Sequence, residues 1–309
     1  MHKPSLKPFH LALTGRQVLL LLAVLLAEVL LLVLALAKIV DHAWWQSLFL
    51  GIVEGLTEFL PISSTGHLLI TAKLIRFEHG MGGTFEIFIQ LGAILAIIAF
   101  YARDLLAQIK AVRHEAAIQR FWLNILIAFS PAAVLGLTLH SWIKKVLFDS
   151  PPIIAFSLIG GGLIFLLVEY LPQKPLTAQE LTAISPKQAL GIGIAQTFAL
   201  IPGVSRSGAS IIGGMLAGLD RPTATAFSFY LAIPTLGAAT VVDLLKSLDQ
   251  LVIGDFGFLF IGTLVSGLIA WLSIGWLLRY VSTNNFVAFG VYRLCAGVLI
   301  LLLGFGKFL

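Results

Sequence analysis

The polar and apolar positions of this chain are arranged in long apolar blocks joined by short polar loops. A helix needs roughly 20 predominantly apolar residues to cross a bilayer core. Stretches of that kind lie near 17–39, 85–101, 121–140, 153–171, 224–243, 256–278 and 286–306, and each predicts a membrane crossing. Two further apolar regions, 47–75 and 189–219, are long enough to cross but are interrupted midway by Pro, Gly and Ser. These predict helical hairpins that enter the membrane and turn back. Irregular backbone at membrane depth persists only where protein buries it or water reaches it, so such breaks tend to line a site.

Composition narrows the class. The 309 residues are 59% hydrophobic and only 11% charged, against about 25% charged in an average soluble domain. Mean hydropathy is +1.00. The chain reads as one membrane domain. Its formal charge of +5 comes from basic residues scattered over short loops, with the excess on the side of residues 1–16 concentrated in 102–120. That scatter reads as a topology signal and not as a nucleic-acid face. With residues 1–16 on the cytoplasmic side, the loops obey the positive-inside rule. The 17–39 block lacks a small-residue cleavage site before Asp41 and the Trp44-Trp45 pair, which predicts an uncleaved anchor. Cys295 stands alone, so neither an intrachain disulfide nor a cysteine-based zinc site is available.

The two interrupted regions resemble each other. At an offset of 142, Gly51-Ile52-Val53-Glu54 aligns with Gly193-Ile194-Ala195-Gln196, Ser63-Ser64-Thr65-Gly66 with Ser205-Arg206-Ser207-Gly208, and Phe85-Glu86 with Phe227-Ser228. Leu60-Pro61 meets Ile201-Pro202 only after a one-residue slip. Each unit holds one hairpin and three crossings. Three is odd, so the second unit lies upside down relative to the first. The predicted fold is all-α and membrane-integral: an inverted repeat of a re-entrant helical hairpin plus three transmembrane helices, with one extra N-terminal helix. Residues 1–45 form the tail and extra helix, 46–309 the membrane domain, with repeats over about 46–171 and 188–309. Such folds bring their broken elements together near the bilayer midplane.

Both breaks carry chemistry. Glu54 and Glu58 are four residues apart, one turn along one helix face. Two like charges in apolar surroundings cost on the order of 2.5–3.5 kcal/mol each unless something compensates. A shared divalent cation would do so through hard oxygen ligands, and so would a shared proton. A solvated surface helix would be the bland reading, but residues 48–60 are otherwise almost all apolar. After Pro61 come Ser63, Ser64, Thr65, Gly66 and His67, hydroxyls and amides at a helix start that suit an anion. His67 is placed to act as nucleophile or as general acid-base, where an isolated histidine would simply be a hydrogen-bonded core residue. The second break supplies Pro202-Gly203-Val204-Ser205-Arg206-Ser207-Gly208-Ala209-Ser210. Arg206 is the side chain best shaped to grip phosphate oxygens. An acidic half facing a cationic, hydroxyl-rich half suits metal-assisted phosphoryl transfer.

Other polar positions carry less. Glu28 and Arg293, each within an apolar block, stay open between a functional and a structural role. Glu86, Gln90 and Glu169 sit near span ends, where polar residues are ordinary. Gly160-Gly161-Gly162 fits close helix packing better than phosphate binding. No Walker, Rossmann or zinc-protease motif occurs.

The runs Glu54-Gly-Leu-Thr-Glu58-Phe-Leu-Pro-Ile-Ser-Ser-Thr-Gly-His67 and Pro202-Gly-Val-Ser-Arg-Ser-Gly208 resemble the two signature regions of bacterial undecaprenyl-pyrophosphate phosphatases, also known as bacitracin-resistance proteins. The resemblance covers about residues 46–309. It implies an inner-membrane enzyme that removes the terminal phosphate of undecaprenyl pyrophosphate, recycling the carrier lipid for the cell envelope. It also implies a divalent-cation requirement, Mg²⁺ or Ca²⁺, and a site open to the periplasm. By position, Glu54 and Glu58 match the acidic motif linked to metal and catalysis, and Ser64 and His67 match residues proposed for the chemical step. Ser205, Arg206 and Ser207 match the phosphate grip, which Ser63, Thr65 and Ser210 complete as hydroxyl ligands. Ser210 stands where the family usually has Thr, which keeps the hydroxyl, and the first apolar block is extra relative to the usual length. A rival reading is a secondary transporter or flippase for a polyprenyl phosphate lipid. A purely structural membrane protein leaves the buried charges unexplained. The expected partners are the lipid substrate and membrane lipid, with no nucleic acid and with a homodimer left open.

Overall fold

The computed structural model describes residues 43–77, 84–147, 150–171, 178, 180–247 and 256–306. The 17–39 block and Glu28 lie outside the described residues. The described chain is built from helices: α1 (Ala43–Thr57), α2 (Ser64–Leu74), α3 (Thr84–Phe100), α4 (Ala102–Ala111), α5 (Ala116–Val146), α6 (Pro151–Tyr170), α7 (Pro186–Thr197), α8 (Arg206–Leu216), α9 (Arg221–Ser247), α10 (Phe256–Val281) and α11 (Val287–Phe305). Five are long and apolar enough to cross a membrane: α5, α6, α9, α10 and α11. The pair α3 and α4 makes a sixth only when counted as one span, since it is bent by 65° between Phe100 and Ala102. The protein is therefore an all-helical, multi-pass membrane protein. The expected crossing at 85–101 is α3, and the chain turns sharply just beyond it.

Both interrupted regions break where Pro, Gly and Ser were expected to break them. Helix α1 ends at Thr57 and α2 starts at Ser64; α7 ends at Thr197, passes through a short 3₁₀ turn (Phe198–Leu200), and α8 starts at Arg206. The two return helices have equal length, 11 residues, and start at the same offset that the sequence pairing has. Ser63 and Ser205 precede them in left-handed backbone, φ 75° and 78°. A non-glycine residue there costs of order 1–3 kcal/mol. Each offsets part of that by capping its helix, Ser63 Oγ accepting from the Gly66 amide and Ser205 Oγ from the Gly208 amide. Helix α7 is started by Pro186 and by a reciprocal cap between Ser185 and Gln188.

Small residues set the packing. Helix α10 packs against α1 and α3, α5 against α7, and α6 against α11. A Cβ on Gly51 would lie 2.6 Å from the Gly262 carbonyl oxygen, and one on Gly92 would lie 2.1 Å from that of Thr263. Backbones that approach so closely gain van der Waals contact, the main cohesive term between helices in lipid. Large apolar side chains such as Leu123, Leu137, Phe260 and Leu268 point outward, while the interior holds both aromatic residues and a cluster of polar ones. Gly92→Ala is expected to cost about 1–3 kcal/mol through overpacking, read as a lower thermal midpoint in detergent. Gly160→Ala, where a Cβ meets nothing within 4 Å, should leave the midpoint unchanged.

Candidate active site

The two breaks meet inside the bundle. The Ser207 hydroxyl donates to the Leu60 carbonyl at 2.9 Å, which joins the start of α8 to the turn after α1. Arg293 of α11 locks them further. Its guanidinium donates to the carbonyls of Pro61 in the first break (3.1 Å) and Gly203 in the second (3.0 Å), and to those of Ser157 and Leu158 on α6. The residue is fully buried. Backbone carbonyls, not a carboxylate, satisfy it, so its role is architectural. Gly161 and Gly162 make room for it: a Cβ on Gly161 would lie 2.0 Å from Arg293 Nη2, and one on Gly162 2.8 Å from the Gly290 carbonyl oxygen. The triple glycine thus serves close packing, through Gly161 and Gly162.

The acidic and basic motifs converge on one carboxylate. Arg206 Nη2 donates to Glu58 Oε1 at 3.0 Å, and the Ser64 hydroxyl donates to Glu58 Oε2. Both side chains of the ion pair are almost withdrawn from solvent, at 10% and 4% exposure. Arg206 Nη1 donates to the Ser228 carbonyl at 3.2 Å, and its guanidinium stands over the Phe59 ring, 5.7 Å from the centroid. Ser205 and Ser207 share a hydrogen bond at 3.0 Å, and Ser210 shares one with Ser228 at 2.7 Å. Ser63 caps α2, as described. Thr65 follows Ser64 in the first turn of α2 and is half-buried. The structure therefore brings Glu58, Ser64, Arg206 and the second-break serines into one constellation.

Glu54 is equally buried, 1% exposed, but its Oε2 has no hydrogen-bond partner among the described residues. Arg206 Nε is likewise a buried donor without a partner. Glu54 is near enough to Glu58, Glu86 and Arg206 to interact with each electrostatically. Glu86 is thus closer to the site than its place near a span end suggested. An unpaired buried carboxylate oxygen among other carboxylates suits a hard cation. At Glu58 the fit is poorer, because Ser64 and Arg206 already hold its two oxygens. Among the described residues no three acidic, His or Cys groups gather as a metal cluster.

His67 points elsewhere. Its Nδ1 lies 2.7 Å from the Ser63 carbonyl oxygen, and its Nε2 lies 2.7 Å from the Tyr292 hydroxyl. Glu169, the other span-end acid, has its side chain withdrawn from solvent and paired with Arg221 through two hydrogen bonds, and it also accepts from the Phe286 amide at 2.9 Å. It ties together α6, α9 and the start of α11. Sequence reasoning left Ser228, Tyr292 and the architectural role of Arg293 unread. A signal for Ser228 was present, because it pairs with Glu86 at the repeat offset; nothing in the sequence marks Tyr292.

The chain is similar to known proteins over most of its length. The family described as "Bacitracin resistance protein BacA" matches residues 47–299. The undecaprenyl-diphosphatase of Deinococcus radiodurans is 49% identical over 263 residues, covering 84% of this chain and 95% of that protein. That of Albidiferax ferrireducens is 48% identical over 259 residues, covering 83% and 93%. Undecaprenyl-diphosphatase 1 of Burkholderia cenocepacia is 43% identical over 267 residues, covering 85% and 96%. Since the matched span contains both breaks and the helices that hold them, the chain belongs to the bacitracin resistance protein BacA family.

Proposed function

We propose that this protein hydrolyses undecaprenyl diphosphate to undecaprenyl phosphate and inorganic phosphate, the activity its relatives are named for. The observation that carries the reading is the shared carboxylate: Glu58 accepts from the Ser64 hydroxyl on one oxygen and from Arg206 on the other. Ser64 Oγ attacks the terminal phosphorus as its proton passes to Glu58. The bond from that phosphorus to the bridging oxygen breaks, and undecaprenyl phosphate leaves. Water then releases phosphate from Ser64. Arg206 meets the departing charge with its spare Nε donor, and the second-break hydroxyls turn from Leu60, Ser207 and Ser228 to seat the remaining oxygens. A divalent cation, Mg²⁺ or Ca²⁺, would sit at Glu54 and supply charge neutralisation of the diphosphate. Glu58 stays with Ser64 and Arg206.

The same reading carries the finer architecture. The hairpins α1–α2 and α7–α8 are re-entrant, and the unit beginning at α7 is inverted relative to that beginning at α1. Equal return helices and matching left-handed serines support this. Residues 46–309 form the membrane phosphatase domain of an inner-membrane protein, with the site reached from the periplasm. Turnover there recycles the carrier lipid for envelope synthesis and confers bacitracin resistance.

Phosphate release from undecaprenyl diphosphate by the purified protein in detergent tests the assignment. Release should stop with EDTA and return with Mg²⁺ or Ca²⁺. Arg206→Ala should lower it by about 10²–10³-fold, the scale of losing one charge-stabilising donor. A well-folded sample without release would move the rival transporter or flippase reading to first place.

A further inference from the structure

The two ring nitrogens of His67 have different partners, and the difference assigns its hydrogen. A backbone carbonyl only accepts, so the nitrogen facing Ser63, Nδ1, carries the N–H. In the neutral ring Nε2 is then a lone pair, and the group 2.7 Å away is the Tyr292 hydroxyl, which must donate. The two rings are nearly parallel, 17° between planes with centroids 5.6 Å apart. One contact thus fixes the ring plane and two hydrogen bonds fix its rotation. Tyr292 precedes Arg293 on α11, so the helix turn that locks the two breaks also delivers the phenol.

We infer that Tyr292 is a positioning residue for His67: it holds the Nδ1–H tautomer and covers Nε2, so that His67 is not the nucleophile toward phosphorus but takes up the proton of the water that releases phosphate from Ser64, the water giving its proton to the phenol oxygen as the phenol gives its own to Nε2. The inference rests on the phosphatase reading above. A lone pair engaged by an O–H is not aligned with a phosphorus atom. The pair also suits a protonated ring without moving. With a proton on Nε2, the ring donates and the phenol oxygen accepts, and the heavy atoms keep their places. Such a site is organised before and after proton transfer, which is where orientation contributes to rate.

Tyr292→Phe keeps the ring stack and removes only the hydroxyl. Its kcat should fall about 10- to 100-fold, the scale of a misoriented catalytic group, with KM and thermal midpoint unchanged. Combined with His67→Ala, it should slow turnover no further than His67→Ala alone. In ¹⁵N-histidine-labelled protein, the signals lost in His67→Ala should show a protonated Nδ1, and Tyr292→Phe should turn them into a tautomer mixture. Wild-type kcat in Tyr292→Phe, additive losses in the double variant, or an Nε2–H signal from the neutral ring in wild type would each overturn the inference. Should wild type release no phosphate, the phosphatase reading fails by itself, and the nitrogen signals still decide the tautomer.

Discussion

Ser64→Ala is expected to lose on the order of 10⁴–10⁶ in kcat while the protein folds and inserts normally, which is the scale of removing an activated serine nucleophile. The hydroxyl touches one described partner, Glu58 Oε2. Glu58 keeps Arg206 on its other oxygen, so the buried carboxylate remains paired, and the cost to stability is confined to about 1–3 kcal/mol for one unsatisfied oxygen. Rapid quenching with terminally ³²P-labelled substrate should trap label on wild-type protein as phosphoserine and none on Ser64→Ala. His67→Ala should be milder, a loss of about 10²–10⁴ as for a general acid or base, and should still trap label. Full turnover in Ser64→Ala would assign attack to water or to His67 instead, and phosphohistidine in wild type would exclude the serine route.

Arg293→Ala is expected to give the largest loss of stability, roughly 2–6 kcal/mol, because it strands two buried acceptors at about 1–3 kcal/mol each. The carbonyls of Pro61 and Gly203 belong to the two breaks, outside regular helix, and Arg293 is the donor recorded for both. Those of Ser157 and Leu158 lie within α6 and retain helical partners. The void beside Gly161 and Phe165 adds to the loss. Arg293→Lys keeps the charge, but a single nitrogen replaces a planar fork that reaches four carbonyls, so it should rescue stability only in part. The measurement is the thermal midpoint in detergent, with limited proteolysis reporting whether cleavage appears at 58–63 and 198–205. A midpoint equal to wild type would mean that the breaks hold each other through Ser207 and Leu60 alone.

These two arginines show where sequence reading was sufficient and where it was not. Arg206 announced itself, because an arginine among serines and glycines in an apolar segment has few uses besides an anion. Arg293 sits alone in an apolar block and was left undecided between function and structure. Its meaning depends on carbonyls contributed by residues 61, 157, 158 and 203. Backbone carbonyls exist at every position, so no residue type marks the ones that will converge.

Apart from α4, which lies in the stretch 102–120 read as a basic loop, the apolar helix blocks beyond residue 43, the membrane class, the two breaks and the family were legible from the residues alone. Each follows from local chemistry: apolar length sets the spans, Pro and Gly end helices, serines cap their return, and the phosphate-gripping motif is contiguous. It was packing that gave Glu58 both Ser64 and Arg206 and left Glu54 an unpaired oxygen. It alone drew Glu86 toward the site, gave His67 to Tyr292 and put Arg293 between the breaks. The reason is physical. Glu54 and Glu58 are equivalent in a sequence, four residues apart in one apolar run, and they part company only in the fold, where Glu58 is the first residue past α1 and another element approaches it more closely. That approach is set by Ser207 and Arg293, which tie the second break to the first and lie far along the chain from either carboxylate.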